Sequence, residues 1–207
     1  MIGSKRRRLP VLVEQVIGSV QAESTAKAMA FEQFIRRDSR TTCRTGCDHC
    51  CYHPVEISVL EAIPIYRHLA QTGRWTPSLV KALEDHAEKT AFLPAHIWIL
   101  TRIPCPFLKD SKCSVYDVRP FQCRTTWASG DPHYCHGQRF GENTSILARG
   151  EIMQDFTAYQ RMLADQVQAK IISLPISRAV LWASKVALGE IGLSDILAAV
   201  MREYRDK

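Results

Sequence analysis

Apolar residues between Val11 and Arg37 recur at three- and four-residue steps, first as Val13, Val16, Ile17 and Val20, then as Ala30, Phe31, Phe34 and Ile35. That period predicts one amphipathic helix or a broken pair. Ser58-Val59-Leu60-Glu61 has the form of a capping box at the start of the next helix. Pro64 should kink that helix or mark its first turn, and Gly73 should close it. Thr76-Pro77 supplies an N-cap and a first-turn proline for a helix whose stripe is Leu79, Val80, Leu83 and Ala87, and Pro94 stops it. The short apolar run His96 to Ile103 is expected to be a strand or extended core segment. Lys109-Asp110-Ser111-Lys112 reads as a polar turn between two short arms. A long amphipathic helix is expected from Ile146 to Ile171, bent at Gly150 and ending before Pro175. Ser177 and Ser194 are candidate N-caps for two shorter helices, the last with Ile196, Leu197, Val200, Met201 and Tyr204 on one face. The expected fold is therefore mainly α with little strand.

Residues 113–137 escape this pattern, because Arg119-Pro120, Gly130-Asp131-Pro132 and Gly137 punctuate them too often for regular structure. Such a stretch needs another source of order, and the cysteines supply one. Cys43, Cys47, Cys50 and Cys51 fall within nine residues, and Cys105, Cys113, Cys123 and Cys135 follow after 53 residues without a thiol. Cys47-x2-Cys50 lets two thiolates of one turn face a single ion, and Gly46 lets the backbone approach it closely. Adjacent side chains diverge, so one ion does not readily take both Cys50 and Cys51; Cys51 is left for a second metal, a polynuclear cluster or the core. All eight cysteines are candidate metal ligands. His49, His53, His133 and His136 flank them, but eight thiols already satisfy two four-coordinate ions, which assigns the histidines to supporting contacts.

A disulfide framework is the main rival and belongs to secreted chains. Lys5-Arg6-Arg7-Arg8 is followed by an apolar run that Glu14 and Gln15 cut short of a signal sequence, so a cytoplasmic location is expected. The net charge is +6, but Lys5 to Arg8 account for most of it, and the body is nearly neutral. The chain divides into a basic tail at 1–10 and a single domain at 11–207, with the cysteine core at 43–136 and C-terminal helices at 144–206. Nucleic acid is a conceivable partner only through the tail. Arg44, Arg102, Arg119 and Arg124 are placed to offset the negative charge of a thiolate-bound metal. No apolar run reaches the roughly 20 residues that span a bilayer.

The pattern Cys43-x3-Cys47-x2-Cys50-Cys51, then Cys105-Pro106-Phe107-Leu108, Cys113-x-Val115-Tyr116-x2-Arg119-Pro120-x2-Cys123-Arg124 and Cys135 resembles the YkgJ-type cysteine-cluster proteins. The resemblance covers about residues 43 to 136. It implies a domain that chelates zinc or iron, with zinc or an iron–sulfur cluster held by the eight cysteines, and it implies a site role for Arg119. A flagellin lysine methylase shares this type of cysteine motif, so the alternatives are an iron–sulfur enzyme of S-adenosylmethionine-dependent methyl transfer or a nucleic-acid-associated zinc module. No phosphate-cradling glycine loop, Gly-x-Ser-x-Gly elbow or paired-histidine helix occurs in the sequence.

Overall fold

The computed structural model describes residues 9–37, 41–43, 46–130, 135, 144–146 and 150–205, with the backbone alone for 144–146 and 204. The basic residues 5–8, Arg44, His133 and His136 lie outside the described residues. The fold is mainly α. Helix α1 (Val11–Ile35) is continuous, and Val16, Val20, Ser24, Ala28, Phe31 and Ile35 form its buried stripe. Ser24 and Ala28 carry the stripe through the middle without a large apolar side chain, so the sequence pattern only looks interrupted there. Phe34 points to solvent, 62 % exposed.

Helix α2 (Val59–Gln71) starts where the capping box places it, with the Ser58 hydroxyl accepting the Glu61 N–H, and runs on through Pro64. Helix α3 (Pro77–Thr90) is capped by Thr76 and buries Leu83, His86 and Thr90. The run expected as a strand is instead helix α4 (Ala95–Thr101), with Trp98 as its buried residue and the left-handed Arg102 (φ 50°) at its C-terminus. The indole N–H of Trp98 donates to the Ile103 carbonyl at 3.2 Å, which folds the end of the run back onto its middle. Short apolar runs do not distinguish strand from buried helix by period alone.

Strands β2 (Leu108–Lys109) and β3 (Lys112–Cys113) form a hairpin. Positive φ at Asp110 (50°) and Ser111 (56°) gives it the turn geometry suited to twisted two-residue connections. Helix α5 (Phe121–Arg124) is a single turn. Strand β4 (Ala128–Gly130) pairs antiparallel with β5 (Thr144–Ile146), so Ile146 belongs to a strand rather than to the helix that follows. That helix, α6, spans Gly150–Asp165 and stops there, because the chain turns through the left-handed Gln168 (φ 54°) and enters β6 (Leu174–Pro175).

Strand β6 pairs antiparallel with β1 (Glu56–Ile57), and the Ile176 N–H donates to the Val55 carbonyl at 2.9 Å. The segment leaving the first cysteine group is thereby joined to the start of α7 (Ile176–Ala187). Pro175, not Ser177, occupies the N-cap of α7; Ser177 lies inside the helix and its hydroxyl hydrogen-bonds His86 Nδ1 at 2.9 Å. Ser194 falls within a 3₁₀ turn (Leu193–Asp195) that leads into α8 (Ile196–Arg205). The core forms where α7 packs on α2 and α3 and where α1 packs on α2, α5 and α6. Leu60, Ile63, Ile65, Val180 and Val186 are fully buried in it. The cysteine region has its own anchors there, since Phe107, Val115 and Phe121 are each no more than 1 % exposed.

Candidate metal centre

The first cysteine group is only half-buried: no described residue from 41 to 54 is fully buried. Hydrogen bonds place it instead. The Thr42 N–H donates to the Ala128 carbonyl at 3.1 Å, and Thr41 bridges to Ser129. The Ala128 N–H donates to Cys43 Sγ at 3.2 Å, an amide-to-sulfur bond that favours the thiolate. Gly46 adopts φ 86°, which a residue with a Cβ reaches only with strain. Cys50 and Cys51 lie in a 3₁₀ turn (His49–Tyr52).

The two cysteine groups meet through the backbone. The Cys105 N–H donates to the Cys51 carbonyl at 2.7 Å, closing the 53-residue gap at one point. Gln122 then clamps the junction: its side-chain carbonyl accepts the Glu56 N–H and its amide donates to the Pro54 carbonyl, both at 3.0 Å. Glu61 holds the adjacent turn, because its carboxylate accepts the Phe121 N–H at 3.0 Å at the start of α5. Burial pushes the Glu61 carboxyl up, against the hydrogen bonds from Phe121, Gln160 and Ser58 that favour its charge. Neither Gln122 nor Glu61 stands out as part of a site in the sequence. The capping-box pattern marks Glu61 only as a helix residue.

All eight cysteines are free thiols, and they line two adjoining cavities. The smaller, about 180 Å³, is fronted by Cys43, Cys47, Cys50, Cys123 and Cys135. The larger, about 350 Å³, is fronted by Cys47, Cys50, Cys51, Cys105, Cys113 and Cys123. Of the neighbours Cys50 and Cys51, Cys51 fronts the larger cavity alone and Cys50 fronts both. Among the described residues no three Cys, His, Asp or Glu side chains converge on one ion-sized point. The thiols surround space rather than a single centre.

For five of the thiols, Cys43, Cys50, Cys105, Cys113 and Cys123, the surroundings favour the protonated form. Burial pushes the Cys105 thiol up to about 12, while the Phe107 and Leu108 amides work against it. Cys50 is held well above the ordinary thiol value, first by its hydrogen bond with Cys51 and then by burial. Burial raises Cys43, Cys113 and Cys123 too. A metal would displace these protons, and the backbone amides that favour the thiolates at Cys43, Cys105 and Cys113 are already aimed at the sulfurs. The donor set thus fits a thiophilic metal.

Arg119 fronts both cavities, and its charge favours the thiolate form of Cys50, Cys113 and Cys123. Arg124 lines only the smaller of the two, whereas Arg102 lines neither and lies over the Tyr52 ring, 4.4 Å from its centroid. His53 Nε2 is 2.8 Å from the Cys135 carbonyl. A carbonyl only accepts, so that nitrogen carries the proton and positions a cysteine of the second group from the first. His49 fronts the smaller cavity beside Cys47.

Neither a curated protein nor a solved structure shows significant similarity to the chain. One family model does match, over residues 42–151, a span that holds all eight cysteines and more than half of the sequence. The gathered thiols and this match agree: the chain belongs to the CxxCxxCC family, described as "Putative zinc- or iron-chelating domain".

Proposed function

We propose that the protein binds metal at two adjoining all-cysteine centres, and that the larger holds a polynuclear iron–sulfur cluster. The division of the thiols between two cavities carries this reading. Cys51, Cys105 and Cys113 front only the larger cavity and Cys43 and Cys135 only the smaller. Cys123 is coupled electrostatically to Cys105, Cys50 and Cys113, and Cys43 to Cys47 and Cys50, so Cys50 stands between the two sets. Assigning Cys51, Cys105, Cys113 and Cys123 to the larger centre and Cys43, Cys47, Cys50 and Cys135 to the smaller gives each four thiolates.

The choice of a cluster at the larger centre follows from size. Four thiolates at about 2.3 Å close tightly around one zinc ion, whereas these cysteines front a roomier cavity of about 350 Å³ that Phe107, Val115, Pro120 and Ile176 help to line. A cluster bound there supplies one-electron redox chemistry. The protein's own groups hold its charge, through Arg119 and the sulfur-directed amides. Purification without oxygen, followed by iron, zinc and acid-labile sulfide analysis, tests the proposal. Iron with matching sulfide and a brown colour is the expected result. Zinc alone would overturn the cluster, and a chain without metal under these conditions would overturn metal binding altogether.

A further inference from the structure

The far end of α2 reaches the second cysteine group through Arg74. Gly73, at φ 68°, closes the helix in a Schellman turn: its N–H donates to the Ala70 carbonyl at 3.3 Å, and the Arg74 N–H donates to the Leu69 carbonyl at 2.8 Å. The turn directs the half-buried Arg74, whose guanidinium makes three bonds. Its Nε donates to the Thr72 hydroxyl at 2.9 Å, one terminal nitrogen donates to the Ser114 carbonyl, and the other donates to His68 Nε2. Ser114 directly follows Cys113, and its N–H donates to the Phe107 carbonyl at 2.8 Å, one step beyond the Leu108–Cys113 pair of the hairpin. Both backbone groups of Ser114 are thus committed, one within the hairpin and one to α2.

A guanidinium only donates, so His68 Nε2 is the bare nitrogen of a neutral ring. A proton on that nitrogen removes the acceptor and sets two cations against each other. Among the described residues no carboxylate pairs with His68 or Arg74. The charged group facing the ring is Arg74, and the neighbouring Arg67 is turned to Glu14 of α1 at 2.6 Å.

We propose that Arg74 is a positioning residue for the larger metal centre: with neutral His68 as its partner it ties the hairpin arm carrying Cys113 to the end of α2, and it lets go when His68 takes a proton. Helix α2 then supports the centre from both ends, because Glu61 in its first turn holds the start of α5, which carries Cys123. The role in metal binding rests on the assignment of Cys113 and Cys123 to that centre, whereas the tie itself consists of protein atoms and can be read with or without metal.

Hydrogen exchange of the full chain purified without oxygen, with metal content and the rate of metal release to a chelator measured on the same sample, tests this. Arg74→Gln should speed exchange at Lys112 and Ser114 about tenfold or more, as the loss of a charge-assisted hydrogen bond implies. Metal release should quicken with it, while α7 keeps its protection. Arg67→Gln, next to His68 in the chain but paired with Glu14, should change neither. Because Arg74→Gln could also loosen the whole fold, His68→Gln gives a second reading, since glutamine accepts the same bond but takes no proton. Between about pH 7.5 and about pH 5.5, on either side of the ordinary histidine value of about 6.5, metal release should quicken more steeply in the wild type than in His68→Gln. Metal release unchanged by Arg74→Gln, or the same pH profile in the wild type and His68→Gln, would overturn the proposal. Faster hairpin exchange in Arg74→Gln, with no metal in either chain, would uphold the tie and count against the metal reading alone.

Discussion

Gln122 commits both halves of its amide to the chain that leaves the first cysteine group, one to Glu56 and one to Pro54. It sits beside Cys123, so the two cysteine groups are held in register by a residue that binds no metal. Gln122→Ala removes both bonds and should cost about 1–3 kcal/mol, since each net hydrogen bond contributes roughly 0.5–1.5 kcal/mol. Urea denaturation should show that loss, and competition with a chelator should show faster metal release. Unchanged release would mean that the Cys105 to Cys51 backbone bond suffices alone. At this scale the cysteines stand out in the sequence because their spacing is local chemistry, and Arg119 stands out through the family resemblance. Gln122 and Glu61 are not, because nothing near them in sequence announces that a distant backbone group will need a partner. Among the flanking histidines, His53 reaches the Cys135 backbone with its ring.

Elements with capping chemistry at their ends, or with a long apolar period such as α1, were legible, and the short run around Trp98 was not. Ser58 and Thr76 cap α2 and α3 as their positions imply, and Asp110-Ser111 turns the hairpin. The run around Trp98 offers only apolarity, and burial against α3 decides for helix: the His86 and Trp98 rings meet edge to face at 5.4 Å. Ser177 looks like a cap by type, but the bond it makes is to His86 across the core. The loop-rich cysteine region also proves unevenly supported. Phe107, Val115 and Phe121 anchor its second half, while no described residue from 41 to 54 is fully buried. Metal ligation would then contribute most to the order of the first half. Chelation should expose 41–54 to protease and to hydrogen exchange well before α2 or α7 responds. Simultaneous loss of all three segments would instead make the metal a condition of the whole fold.

At the scale of the whole molecule, stability rests on α7 packed against α2 and α3, and that interface contains a titratable group. His86 is 7 % exposed, bonded to Ser177, and its pKa is lowered to about 4, first by burial and then by Lys89, with the Pro104 carbonyl opposing. The unfolded chain would bind this proton near the ordinary value of about 6.5. Between those values the unfolded state therefore holds more protons than the folded state, so stability rises with pH across the window. The contribution is fully present above pH about 6.5 and is lost as pH falls toward 4, by up to about 3 kcal/mol over the whole shift. Protonation of metal thiolates destabilises in the same direction, so the wild type alone does not isolate the histidine. The paired variant His86→Phe with Ser177→Ala removes the titrating ring without leaving the hydroxyl unpartnered. Its denaturation free energy should fall less steeply than that of the wild type between pH 6.5 and 4, while metal release follows the same pH profile in both. Parallel stability curves would place the acid sensitivity in the cysteine centre and leave α3 and α7 as a pH-insensitive support for it.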